Sequence, residues 1–207
     1  MFDAKPLACK KIILDGLSFD TQGSEQQPLC PTILRSAHHQ FKAMLSHHSA
    51  VLVVRLESRI NHFSSCNTSM LRVLKGFIRQ LKQRYKLKRV GYQWVREIER
   101  STKQHYHLVI AIDGNKVNYP ANIHRLWEKC HERALLPKPF TPKNSYVNVS
   151  RGDLRAYRDV IYRVSYLAKC RGKDFSRSWP HNFACSRVPM GDRLGEMFAV
   201  NNNGITA

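Results

Sequence analysis

Acidic residues are scarce in this chain. Over 207 residues, 15 Asp and Glu stand against 34 Lys and Arg, a formal net charge of +19. The surplus is spread along the sequence rather than gathered in one tail. A charge of that size repels itself in a compact protein unless a polyanion neutralises it, which points to nucleic acid as the partner. Long apolar runs are also missing. No stretch approaches the roughly 20 residues of a membrane span, and no continuous apolar core of the secretory kind opens the chain. The expectation is therefore a protein with no membrane partner. The six cysteines, Cys9, Cys30, Cys66, Cys130, Cys170 and Cys185, form no Cys-x-x-Cys pair and lack zinc-ribbon spacing. Reduced thiols in an intracellular protein are expected. There is no Gly-x-x-x-x-Gly-Lys-Ser/Thr phosphate loop and no internal repeat. What is present in quantity is hydrophobic residues, 43%, enough for a real core.

Read in order, residues 1–40 look like a weakly structured extension, with Gly23–Pro28 as a turn or linker. A short helix is expected over 35–49, ending in His47 and His48. Ala50–Glu57 reads as a buried strand. A helix follows Asn67, with Met70, Leu71, Leu74, Phe77, Ile78 and Leu81 at helical spacing. Lys75, Arg79 and Lys82 lie on its basic side and, with Arg96 further on, are candidates for gripping phosphates. Val90–Glu99 and the strand from His105 form a hairpin. A second amphipathic helix spans 122–133, where His124 and His131 read as ordinary surface histidines. Ser145–Ser150 is a short strand, and a last helix runs from about Arg151 to Cys170. The order β-α-β-β-α-β is the split βαβ, ferredoxin-like α+β arrangement. One antiparallel sheet would carry two helices on one face and leave the other free for a site. The principal domain is expected over 41–175, with a basic extension and frayed tail over 176–207.

Two motifs carry the chemistry. In His105-Tyr106-His107, strand alternation sends both imidazoles to one face and Tyr106 to the other. Two imidazoles side by side can hold a divalent metal, or can be mere surface histidines near a turn. In Tyr162-Arg-Val-Ser-Tyr166-Leu-Ala-Lys169, about 100° per residue places Tyr162, Tyr166 and Lys169 within roughly 60° of arc. The plain alternative is a helix that packs with tyrosines. A deprotonated phenol can attack a phosphodiester, keep the 5′-phosphate and release a 3′-hydroxyl, so that bond energy is stored for rejoining.

The pair of motifs resembles the HUH endonucleases, in which His-U-His sits on a sheet strand and Tyr-x-x-Lys on a later helix. The double-tyrosine form, together with Trp94-Val-Arg-Glu97, resembles the rolling-circle replication initiators of filamentous phages (inoviruses) and their prophage relatives. The resemblance covers about residues 50–170. It implies a site-specific endonuclease and strand transferase for single-stranded origin DNA, working through a 5′-phosphotyrosine in the cytoplasm of a bacterial host. It implies Tyr166 and Tyr162 as nucleophiles and Lys169 as their helper. It also implies a metal held by His105, His107 and a third ligand, Glu97 in preference to Glu99. Such ligands with open positions suit Mn²⁺ or Mg²⁺. Unwinding would fall to a host helicase. The alternatives are a single-strand transposase of the same chemistry, and a non-catalytic nucleic-acid-binding module stacking bases on Tyr92, Trp94 and Tyr106.

Overall fold

The computed structural model describes residues 6–60, 64, 66–98, 104–171 and 182–193. The strands are β1 (Lys11–Leu14), β2 (Leu17–Asp20), β3 (Ala50–Ile60), β4 (Gly91–Ile98), β5 (Gln104–Asp113), β6 (Tyr146–Ser150) and β7 (Phe183–Cys185). The helices are α1 (Pro31–His47), α2 (Thr68–Tyr85), α3 (Ala121–Arg133) and α4 (Leu154–Val164), the last continuing as a 3-10 turn over Ser165–Ala168.

Five strands form one sheet in the order β6-β3-β5-β4-β7, with every neighbouring pair antiparallel. Taken from β3 to β6, the β-α-β-β-α-β run occupies the ferredoxin-like positions, and the fold is α+β as the strand and helix periodicities imply. β7 adds a fifth strand beside β4.

Parity along β3 divides the core. Leu52, Val54, Leu56 and Ile60 pack under α2 and α3 with Trp94, Tyr106, Leu108 and Ile110. Val51 and Val53 pack on the opposite face with Val95, Val109 and Ala111, under α1 and α4. The second face is thus not left free, as expected from the sequence, but is largely roofed. α1 can approach closely because β4 opens on Gly91, where a Cβ would stand 2.9 Å from Met44 Cγ. The polar residues of this face lie at the far ends of β3, β4 and β5.

The N-terminal stretch, expected to be weakly structured, carries a hairpin and the start of α1. Asp15 and Gly16 both have positive φ (49° and 78°), the form a two-residue primed turn requires. Tyr157 on α4 clasps this region. Its hydroxyl donates to His38 Nδ1 at 2.8 Å, and His38 Nε2 donates to Asp15 Oδ2 at 3.1 Å. Lys42 also bridges to Asp15. All six cysteines are free. Among the described residues, no helix is long and apolar enough to cross a membrane.

Candidate functional site

The site begins with strand register. On β3 the polar residues Arg55, Glu57 and Arg59 alternate once the apolar run Val51–Val54 ends. Glu57 pairs with His107 of β5, and Arg59 pairs with His105. On the other flank of β5, Val95 pairs with His107 and Glu97 with His105. Paired residues share a face, so both histidines, Glu57 and Glu97 gather on the α1/α4 side. Glu57 is fixed from behind, because Trp127 Nε1 on α3 donates to its backbone carbonyl at 2.7 Å.

His107 is 6% exposed and lies between the two carboxylates. Its Nε2 donates to Glu97 Oε2 at 2.8 Å. Its Nδ1 lies 3.4 Å from Glu57 Oε1, close enough for charge attraction, yet it completes no hydrogen bond. Burial works against the imidazolium, but the contacts with Glu57 and Glu97 outweigh it and hold the His107 pKa above its ordinary value. Burial likewise works against the Glu57 carboxylate, and His107, Arg55 and Arg59 outweigh it, so its pKa is held low. His105 is half-buried on the same face.

Tyr166 closes over this group. Its ring stands edge-on to His107 with centroids 5.4 Å apart. The Arg55 guanidinium lies 5.4 Å from the centroid of the same ring, and Lys169 Nζ lies 4.8 Å from it. Burial first, then Glu97 and Glu57, raise the Tyr166 pKa, with Arg55 and Arg171 pulling the other way. Burial lowers that of Lys169, while Glu97 opposes the shift.

The tyrosine is held in place by the start of the chain. Cys30 N donates to Ala168 O (2.7 Å), Cys170 N to Pro28 O (2.8 Å), and Gln22 N to Ser165 Oγ (2.8 Å). The last helix does not run unbroken to Cys170. It ends at Val164, and Ser165 Oγ donates to Tyr162 O at 2.7 Å as the 3-10 turn begins. Tyr162 therefore sits on α4 proper, 45% exposed, and Tyr166 on the tighter turn.

The structure thus brings together His107, Glu97, Tyr166 and Lys169, with His105 beside them in register. It adds Glu57 and Arg55, which motif reading passed over; the alternation at the end of β3 was their signal. Glu99 lies outside the described residues. Among the described residues, no group of three or more His, Cys, Asp or Glu stands arranged around a common point for a metal. The carboxylates are turned onto the imidazole instead.

Other expectations need correction. Arg96 does not lie on a phosphate-gripping surface: it is fully buried beneath the sheet's other face and donates to Asn67 Oδ1 (3.3 Å) and Ser64 O (3.0 Å). Trp94 and Tyr106 are buried on that side too, under α2 and α3, and so are unavailable to stack bases. His131 is not a surface residue. It is fully buried, with Nδ1 bonded to Trp127 O and Nε2 to Ser58 Oγ. Lys75, Arg79 and Lys82 are exposed, but their helix packs on the side of the sheet away from Tyr166.

Comparison with curated proteins and with solved structures gives no match. A family model described as YagK/YfjJ C-terminal domain matches residues 20–186. That stretch runs from the end of β2 through β7 and includes Glu57, Glu97, His107 and Tyr166. The chain, with its histidine–carboxylate–tyrosine cluster inside the matched region, therefore belongs to the YagK/YfjJ C-terminal domain family, a prophage-type family.

Proposed function

We propose that the chain is a metal-dependent endonuclease and strand transferase of the HUH type, which nicks and rejoins single-stranded DNA to initiate rolling-circle replication. The observation that carries this reading is the meeting of two motifs distant in sequence: the Tyr166 ring lies 5.4 Å from His107, with Lys169 against it. The charge of +19 suits the polyanionic substrate.

In this reading the Tyr166 hydroxyl gives up its proton and its oxygen attacks the scissile phosphorus. The bond from phosphorus to the 3′-oxygen breaks, the 5′-phosphate stays on Tyr166, and the 3′-oxygen leaves with a proton as a hydroxyl. Attack by a 3′-hydroxyl on the phosphotyrosine reverses the step and joins strands. Arg55 and Lys169, both beside the ring, hold the phosphate and favour the phenolate. Tyr162, one turn earlier and exposed, serves the second cut. Lys75, Arg79 and Lys82 contribute longer-range attraction for flanking DNA from the other side of the sheet.

The residue types, though not their present arrangement, are those that take a hard divalent cation such as Mn²⁺ or Mg²⁺: His105, His107 and Glu97 would hold it, with Glu57 at the second nitrogen of His107. When bound, the cation would offset the two carboxylates that keep the Tyr166 proton on and would supply positive charge to the scissile phosphate. Unwinding would fall to a host helicase, and the setting is the bacterial cytoplasm.

The test is incubation with a 3′-labelled pool of random single-stranded DNA and Mn²⁺, followed by a denaturing gel. A labelled protein band is expected, absent without metal and absent for Tyr166→Phe. A band that survives in Tyr166→Phe and Tyr162→Phe combined sinks the assignment of this helix.

A further inference from the structure

One concavity stands well away from Tyr166. It is a groove of about 450 Å³ between α2 and α3, on the opposite side of the sheet. The floor is Val73, Gly76 and Cys130, the far wall Ala134 and Leu136, and the rim Arg72, Arg79 and Arg133. Among the described residues, no carboxylate lines it. α2 contributes five cationic residues over Thr68–Tyr85 and no acidic one.

Two features hold the groove open. A Cβ built on Gly76 meets nothing within 4 Å. Glycine weakens a helix interior relative to alanine, and at this position any larger side chain would fill the floor. At the end of α3, Leu136 N donates to His131 O and Leu135 N to Glu132 O, the paired bonds of a Schellman ending. The residue in the left-handed position, normally glycine, is Leu135 (φ 53°), and its side chain stands 93% exposed at the groove's lip. Arg133 is partly engaged, donating to Gln80 Oε1 at 3.4 Å. Arg72 and Arg79 have no ion pair among the described residues.

An apolar floor inside a ring of arginines calls for a ligand with an apolar group surrounded by negative charge. A phosphodiester backbone would satisfy the arginines but leave the floor wet. We infer that the α2/α3 groove is a docking site for an acidic peptide segment of a partner protein, with one large apolar side chain seated over Gly76 between Arg72 and Arg79. The inference rests on the groove alone and is independent of the reading of Tyr166. It places a protein partner in the α2/α3 groove, where Arg79 serves the peptide and only Lys75 and Lys82 remain to attract flanking DNA, while the Tyr166 side of the sheet stays open to DNA.

The experiment uses the full chain and a short fluorescein-labelled peptide of aspartates ending in Phe-Leu, read by fluorescence anisotropy. The peptide is expected to bind, and the same peptide with Gly-Gly in place of Phe-Leu to bind at least about tenfold more weakly. Gly76→Leu fills the floor without touching charge and should reduce binding of the Phe-Leu peptide by a similar factor, while Arg72→Gln with Arg79→Gln should abolish it. Gly76→Ala serves as the control for folding and should raise the melting temperature. No binding of the Phe-Leu peptide, or equal binding of both peptides, overturns the inference. Equal binding by wild type and a folded Gly76→Leu does so too. If a random oligonucleotide displaces the peptide from wild type and itself binds Gly76→Leu undiminished, the groove is a nucleic-acid surface and the inference fails.

Discussion

At the scale of single residues, the proposed chemistry turns on one hydroxyl and one carboxylate. Tyr166→Phe keeps the ring that packs on His107 and loses the oxygen proposed to attack. Adduct formation should drop by at least about a thousandfold, measured by single-turnover cleavage. Tyr162→Phe should still nick and fail to complete joining. The reverse outcome would exchange their roles. Glu57→Gln is the sharper test of the site as built here, because Glu57 was not evident from motif spacing. It retains shape and removes the charge beside His107 Nδ1. The expected result is a 10–100-fold loss of Mn²⁺ affinity by titration calorimetry, roughly what loss of a supporting carboxylate costs. Unchanged affinity would place Glu57 outside the metal site.

At the scale of elements, much of the sheet was legible and its roof was not. Alternation and run length marked β3, β4, β5 and β6, and two apolar stripes at helical spacing marked α2 and α3. Those signals are periodic and local, so they survive without tertiary context. β7, at three residues, carries too little pattern to read. The Asp15-Gly16 turn, between Ile12–Leu14 and Leu17–Phe19, is a hairpin signal in the sequence that the linker composition of Gly23–Pro28 does not touch. Parity could say that Arg96 and Glu97 point to opposite faces, but not that two helices would bury the first. Nor can a periodicity of 3.6 see that the final helix tightens after Val164, which is what separates Tyr162 from Tyr166. The clasp between α4 and α1 is open to test. Tyr157→Phe leaves His38 Nδ1 without its donor, and the loss should be about 1–2 kcal/mol of unfolding free energy by urea titration. No change would mean that the hydroxyl adds nothing beyond packing.

At the scale of the whole molecule, two bulk properties follow from charge and burial. With a net charge of +19, affinity for single-stranded DNA should fall steeply between about 50 and 200 mM salt, as counterions are released. A flat dependence would contradict phosphate-driven binding. Acid sensitivity comes from the histidines. Burial lowers the pKa of His38, His48, His124 and His131 in the folded state. The unfolded chain, with histidines near 6.5, then binds more protons, so stability declines as pH falls below about 6.5. His107, raised by its carboxylates, works the other way: its contribution is full below about 6.5 and fades as pH climbs through its folded value. The four neutral histidines set the expectation that the melting temperature is lower at about pH 5.5 than at about pH 7.5. An equal or higher value at the acid pH would show that these burials cost the charged forms little. The stitching of the tyrosine turn to the chain's beginning has a consequence for synthesis. Gln22 and Ser165 are 143 residues apart, and Pro28 must wait for Cys170. Translation delivers residues in order and contacts of long sequence separation form late. A nascent chain can finish its histidine hairpin and still have no seated Tyr166. If the proposed activity holds, the half-made protein can touch DNA but cannot cut it until the ribosome has released Cys170.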